Sequence, residues 1–423
     1  MGNTLSVANI QTKLTREQRE AVGLLSIGTF LEYFDLMLYV HMAVLLNELF
    51  FPKTDPFMAS LLSAFAFCST YLLRPFGALI FGWIGDRMGR KFVIITTTFL
   101  MAVSCTIMAT APTYAEIGIT ASVIITICRM LQGMSSMGEK IGAEVYLTEN
   151  FKPPLQYPIV ASIDLSSSVG TMSALMISAI MTSRGFNWRY AFGIGAIVAV
   201  IGFVARSTLK ESAEFLKART EQKNLDAINE KINKKTILAF FFMHCASPVW
   251  LYLIYVYTGD ILKNSFGYTT TEIIQRNLFI SILELFSCAM LVFLSTRFYP
   301  LKILKTLFFI TSVGVLIFGL FSDIKNINHI LYFQLFITLF SQTICPATPI
   351  VLKNFPILKR FTAVSIIYAL SRASMYIIIS FGFVYLVKYF DYAGLLMVII
   401  PMLIGYYWGL RHFENLEKKI IAL

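Results

Sequence analysis

Long apolar runs alternate with short polar breaks along the whole chain. Runs of about 20 residues, the length a helix needs to cross the hydrocarbon of a bilayer, extend from Ala21 to Leu46, Phe57 to Phe81, Phe92 to Ala111, Tyr114 to Met137 and onward, Pro158 to Met181, and Tyr190 to Leu209. A polar interval from Lys210 to Lys235 follows. Six further runs come after it: Thr236 to Tyr257, Thr271 to Ser295, Ile303 to Leu320, His329 to Val351, Phe361 to Leu386, and Tyr392 to Leu410. The pattern predicts an all-α integral membrane protein with twelve transmembrane helices in two six-helix bundles. Residues 1–209 form the amino-terminal bundle, 210–235 a linker, and 236–423 the carboxyl-terminal bundle with a short tail. In the linker only Leu216, Ile228 and Ile232 make a thin apolar stripe, so it reads as a solvated connector, partly helical along the membrane surface.

Composition sharpens this picture. Of 423 residues, 57% are hydrophobic and 14% charged, more apolar than a water-soluble domain of this length requires. The opening residues lack the ordered features of a removable signal peptide, so the first run is expected to remain as a span. A net charge of +11 would suit nucleic acid, but the Lys and Arg residues gather in alternate loops. The positive-inside rule accounts for that alternation, places both termini in the cytoplasm and leaves no role for nucleic acid. The six cysteines, Cys68, Cys105, Cys128, Cys245, Cys288 and Cys345, fall inside the runs, which points to packing rather than disulfides or a thiolate metal site. No metal and no cofactor is expected. Neither a nucleophile–base set nor a GxxxxGK phosphate loop followed by Ser or Thr occurs, which argues against an enzyme and leaves an ion gradient as the energy source.

Charges inside the runs are the candidate chemistry, because such residues face a bundle interior or a wet cavity. Glu32 and Asp35 are three apart and share a helix face with Tyr39. Two close carboxylates are expected to titrate as a pair. In the fourth run Arg129, Gly133, Ser136, Lys140 and Glu144 form one polar stripe. Glu139 falls about 100° away from Lys140 and is expected to point elsewhere. Lys140 and Glu144 are expected to neutralise each other, and Arg129 to offer an unpaired guanidinium for two-point recognition of a carboxylate. Asp164, Glu284 and Arg372 stand alone in their runs; Asp164 suits a bond between helices, and Arg372 either snorkelling or a pair with Glu284. The candidate proton-coupling residues are Glu32, Asp35, Glu144, Asp164 and Glu284, and the candidate substrate-binding residues are Arg129, Lys140, Tyr39 and Arg372. His244 reads as a packed side chain beside a bend at Pro248.

The turn GWIGDRMGRK, Gly82 to Lys91, carries four charges and three glycines between two runs. Its glycines allow a tight reversal, and Asp86 can meet Arg87, Arg90 or the amino end of a neighbouring helix. Two readings are open: a charged latch on the cytoplasmic ends, or a basic topology anchor. The turn resembles the signature loop of the major facilitator superfamily, matching it at Gly82, Asp86, Arg87, Gly89, Arg90 and Lys91. Just upstream, Arg74, Pro75 and Gly77 are similar to the RPxG of the metabolite:proton symporter family within it. IGTFLEYFDLMLY, RMLQGMSSMGEKIGAEVYLTE and LKESAEF resemble further motifs of that family. The chain departs from the family at Thr29, Lys140 and Glu144. It departs again in the second-half loop STRFYPLKILK, which keeps only basic residues such as Arg297 and Lys302. NFPILKR keeps Phe355, Pro356 and Arg360, with Asn354 in place of an acid. In the matching first-half loop Glu149 is kept and Gln156 stands near the place of the absent basic residue, so a looser gate is expected.

The resemblance implies a major facilitator fold and proton-coupled uptake of a small carboxylated organic solute, such as proline/betaine or a dicarboxylate, by alternating access. It implies a multi-pass protein of the bacterial inner membrane whose partners are solute, protons and the lipid bilayer, with Gly82, Asp86, Arg87, Gly89, Arg90, Lys91 and Glu149 as the cytoplasmic gate. A monomer is expected. The tail RHFENLEKKIIAL is too short for a stable coiled coil. The alternative function is a transport-inactive membrane receptor or sensor with a permease fold.

Overall fold

The computed structural model describes residues 14–50, 71, 73–184, 187–221, 232–321, 326–341 and 344–421. Every regular element among them is helical. The amino-terminal half holds α1 (Arg16–Phe50), α2 (Arg74–Arg87), α3 (Arg90–Thr110), α4 (Ile119–Asn150), α5 (Gln156–Arg184) and α6 (Arg189–Arg206). A short helix, α7 (Ala213–Glu221), lies in the linker. The second half holds α8 (Lys234–His244), α9 (Ala246–Leu251), α10 (Thr258–Phe266), α11 (Thr270–Arg297), α12 (Pro300–Phe321), α13 (Ile327–Phe340), α14 (Thr348–Leu352) and α15 (Ile357–Ile421). Ten stretches among the described residues are helical, long and apolar enough to cross a membrane, and Arg189–Val204 is a shorter apolar helix. The second expected span lies largely outside the described residues; its inner end is α2.

Local sequence explains where these helices break. Gly118, at φ 60°, separates the turn Tyr114–Ile117 from α4, so the fourth span starts later than its apolar run and continues to Asn150. Pro248 lacks the N–H that would bond the carbonyl of His244, and the helix is interrupted between α8 and α9 at Cys245. A π-helical turn, Tyr252–Tyr257, follows before α10. The tenth span is interrupted too, by a 3-10 turn at Cys345–Ala347 between α13 and α14. α15 carries two spans, Ile357–Ile379 and Gly394–Lys419. A straight helix would hold residues 355 and 412 about 85 Å apart, at 1.5 Å per residue. Yet Phe355 packs on Phe240 and His412 bonds Thr236 at 3.0 Å, so the chain doubles back within α15.

The first half is tied internally by a buried ion pair that the apolar pattern concealed. Arg206, fully buried at the end of α6, pairs with Glu139 of α4. Its other N–H groups reach the carbonyls of Leu24 and Leu25 in α1 at 2.8 and 2.9 Å, while Thr97 and Thr98 of α3 donate to Glu139 at 3.1 and 2.7 Å. One salt bridge therefore fastens four helices. The offset of Glu139 from the Arg129–Lys140 stripe turns it towards Arg206, Thr97 and Thr98 inside the bundle.

The halves meet where α2 packs on α15 and α5 on α11. At the end predicted to be cytoplasmic, the turn Gly82 to Lys91 forms the latch. Asp86 accepts the backbone N–H groups of Phe361 and Thr362 at 3.2 and 2.8 Å and lies 3.4 Å from Arg90. Arg90 is fully buried and grips both oxygens of Glu149 at 3.1 and 3.0 Å. It also donates to the carbonyl of Ile357 at 2.7 Å across the two halves. Arg360 joins Glu149 from the second half at 3.2 Å, and Ser212 donates to the same carboxylate at 2.8 Å.

The segment after α6 completes this cluster. Glu211 accepts the backbone N–H groups of Arg90 and Lys91 at 3.0 and 3.2 Å, capping α3, just past Gly89, where the chain turns at φ 113°. Phe215 of α7 lies under the Arg90 guanidinium at 4.2 Å. Glu214, half-buried 3.8 Å from Arg360, has its carboxyl raised by that burial, against the pull of Arg360. The start of the linker is thus docked, whereas Arg87 turns outward over the Trp83 ring at 4.2 Å. Gln156 donates to the carbonyls of Thr148 and Phe151 at 2.6 and 2.8 Å, serving as a local brace. Glu149 has four donors, so the absent basic residue leaves no vacancy at this carboxylate.

Two outcomes follow from this packing. Removing the charge of Glu139 strands Arg206 in the core, and Glu139→Gln should cost about 3–5 kcal/mol. The readout is the unfolding midpoint of purified protein; an unchanged midpoint removes the pair from the stability of the half. At Gly82 an added Cβ would lie 2.7 Å from the Thr362 backbone, so Gly82→Ala should hold the latch open. Amide exchange at Phe361 and Thr362 should quicken by about tenfold or more, the scale of a local opening easier by roughly 1.4 kcal/mol. Exchange at the wild-type rate refutes the close approach.

Candidate functional site

Between the halves lies a polar cavity of about 130 Å³. The first half contributes Tyr33 of α1, Lys140 of α4 and Asp164, Ser167 and Thr171 of α5. From the second half come Ser247 and Trp250 of α9, Tyr255 of the π-helical turn, Glu284 of α11, Cys345 of the 3-10 turn and Arg372 of α15. Both interrupted spans end their regular helix here. That suits a cavity wall, where freed backbone groups are not set against lipid. An adjoining lobe of about 60 Å³ shares Lys140, Asp164 and Arg372 and adds Glu144, His244 and Tyr368.

Lys140 is held by Asp164 at 2.5 Å, with Glu144 farther at 3.9 Å and the Tyr33 hydroxyl at 3.4 Å. The partner expected for Lys140 on its own helix is therefore the minor one; the lysine reaches across to α5. Two carboxylates around one ammonium leave a net negative charge that a single proton neutralises. Glu284 accepts the Tyr255 hydroxyl at 2.5 Å. The expected pair of Arg372 with Glu284 is not formed. Arg372 instead donates to Ser247 at 3.1 Å and lies over the Tyr368 ring at 4.6 Å. Among the described residues it makes no ion pair, and its Nε is buried without a partner. His244 packs edge-on against Phe240 and Tyr368, as its lone position suggested.

Four candidates sit elsewhere. Arg129 is not an open guanidinium: it bonds Asp35 at 3.1 Å and Gln132 at 2.9 Å. It also covers the Tyr39 ring at 3.9 Å. Gln132 donates to the other oxygen of Asp35 at 2.9 Å, and Cys105 contacts that oxygen at 3.5 Å. Arg129, Asp35 and Tyr39 form a closed cluster within the first half, and none of them lines the cavity. Glu32 belongs to a different centre, 3.9 Å from Arg74 of α2, whose guanidinium lies 4.7 Å over Tyr71. The two carboxylates of α1 expected to act as a pair each have their own cation, because the helix rotates them towards α4 and α2 respectively.

Sequence reasoning named Tyr33, Gln132 and Ser212 only as parts of motifs or beside the polar stripe, and passed over Ser247 and Tyr255. Gln132 sits three residues from Arg129, and that spacing alone marked it as a partner. Ser247 and Tyr255 flank the helix interruption around Pro248, but no spacing in the sequence aims them at residues 125 and 29 positions away.

The chain is similar to known proteins in sequence and in fold. The profile of the Major Facilitator Superfamily matches residues 25–380. The inner membrane metabolite transport protein YhjE of Escherichia coli is 33% identical over 245 residues, covering 55% of each chain. A proline/betaine transporter of Salmonella typhimurium is 29% identical over 300 residues, 66% of this chain and 60% of its own. The matches thus span 55% and 60% of the length of these two relatives. In three dimensions the chain resembles the proton:xylose symporter XylE bound to 6-bromo-6-deoxy-D-glucose, with a TM-score of 0.72 at 16% identity and 95% of each chain covered. It also resembles FucP in its outward conformation, with a TM-score of 0.64 at 15% identity, over 93% of this chain and 98% of the other. At such identities the likeness speaks for the fold. With the profile extending across both halves and the latch assembled from the matching loop, the chain belongs to the major facilitator superfamily.

Proposed function

We propose that the chain takes up a small carboxylated organic solute together with protons, by alternating access around the central cavity, in a bacterial inner membrane. In this reading twelve spans form two six-helix bundles, residues 1–209 and 236–423, joined by the linker 210–235, with both termini cytoplasmic and the protein a monomer. The carrying observation is Arg372: a buried guanidinium in the cavity wall with a free Nε and no ion pair among the described residues. A desolvated cation of this kind favours a carboxylate that can accept two of its N–H groups. The names of the relatives, a metabolite transport protein and a proline/betaine transporter, support a solute of this size and charge. Glu284, which also lines the cavity, gives a place for a cationic group, which favours zwitterions such as proline or betaine over dicarboxylates.

The triad of Lys140, Asp164 and Glu144 supports proton coupling better than Glu32 and Asp35 do. It borders the cavity, and it carries one carboxylate more than it has cations. A proton on Asp164 releases Lys140 towards the solute; loss of that proton draws it back. The latch supplies the other requirement of alternating access, a closure at one end that opens when the halves rock.

Uptake into sealed vesicles of purified protein, with an imposed inward proton gradient, tests the reading against proline, betaine and 2-oxoglutarate. Accumulation above empty vesicles supports transport; tight binding without accumulation of any of them establishes the receptor alternative. Arg372→Ala should weaken binding of the accepted solute by about 2–5 kcal/mol, the cost of removing one partner of a desolvated charge pair. Calorimetric affinity equal to wild type takes Arg372 out of recognition. Asp164→Asn leaves Lys140 the carboxylate of Glu144, so the protein should fold, lose accumulation and keep exchange of labelled for unlabelled solute. Undiminished accumulation removes Asp164 from the proton path.

A further inference from the structure

The loop that resembles the latch in the second half has a use of its own. It joins α11 to α12, and a groove of about 530 Å³ runs between these helices, closed at its far end by Leu339 and Phe340 of α13. Its walls are apolar: Phe286, Met290, Leu294 and Phe298 from one side, Leu307 and Ile310 from the other. Phe286 and Phe298 are 65% and 53% exposed, so the groove opens on the outer surface of a helix pair long and apolar enough to lie in a bilayer. Lys302 lines its loop end. Arg297 stands seven and three residues after Met290 and Leu294, on the same helix face. Among the described residues neither Arg297 nor Lys302 makes an ion pair, unlike Lys305 nearby, which reaches Glu414 at 3.6 Å. Arg297 ends α11 as Arg87 ends α2, stacked like it on the ring four residues earlier, Phe293 at 6.0 Å, and both Arg297 and Lys302 are exposed beside the apolar slot.

We propose that this groove is a binding site for an anionic phospholipid, one acyl chain lying between α11 and α12 and the phosphate held by Lys302 and Arg297. An apolar chain and a negative head joined in one molecule match an apolar slot ending in two cations, and this end faces the leaflet where anionic lipids attract basic residues. The site adjoins the transport cavity, since Ser287 and Leu291 of α11 border both. Ser287 also bonds the Leu339 carbonyl at 2.9 Å, so a lipid in the groove bears on the helix that carries Glu284.

The test is native mass spectrometry of the purified full chain titrated with phosphatidylglycerol or phosphatidylcholine of identical acyl chains. Phosphatidylglycerol should be retained preferentially. Its affinity should fall about fivefold for each charge removed in Arg297→Gln and Lys302→Gln, and should also fall in Met290→Trp, which fills the groove and leaves both cations. All three positions are exposed, and the unfolding midpoint checks that each variant is folded. Equal retention of the two lipids in the wild type overturns the proposal. So does loss with the charge variants alone, which marks a bare anion site, or loss with Met290→Trp alone, which marks an unselective acyl slot.

Discussion

A charge inside a bilayer that lacks a partner costs several kcal/mol even after relaxation, and that constraint orders the polar side chains of this protein. Arg206 meets Glu139, Arg129 meets Asp35, Arg90 and Arg360 share Glu149, and Lys140 meets Asp164. In each case the carboxylate is delivered by a different helix from the cation. Apolar surface alone makes helices prefer lipid and one another almost equally. Charge pairs are what decide which helices adjoin and in which rotation. Among the described residues Arg372, in the cavity wall, has no such carboxylate.

The apolar runs revealed most of the spans, since length and hydropathy are local properties, and the charged turn stood out because its residues lie within ten positions of one another. Of the three partners open to Asp86, the structure shows Arg90 and the amino end of α15. What stayed hidden was pairing at long range. Helical spacing correctly put Lys140 and Glu144 on one face, but it had no view of Asp164 coming from α5 at 2.5 Å. Likewise, spacing placed Glu32 and Asp35 together and could not see that α2 and α4 each bring an arginine to separate them. Spacing set Glu139 apart from the Lys140 stripe but could not show Arg206 arriving from α6.

The latch and the cavity are mechanically continuous. α4 carries Glu149 at one end, Lys140 and Glu144 at the cavity, and Arg129 deeper in the first half. α15 begins at the latch with Arg360 and the peptide groups that Asp86 holds, then brings Arg372 to the cavity three turns later. Motion of these two helices against each other therefore changes the cavity wall and the closure together. Tyr376 of the same α15 packs on Tyr71, ring centroids 4.1 Å apart, beside the Arg74 guanidinium of α2.

Asp86 holds Phe361 and Thr362 through backbone N–H, and Arg90 holds Ile357 through backbone carbonyl. None of these bonds uses a side chain of the opposing half. These three bonds read the peptide groups of residues 357, 361 and 362, so substitutions there that keep the helix and its N–H groups leave them in place, whereas Arg360, which bonds Glu149 from the same half, is a side chain on which the closure depends.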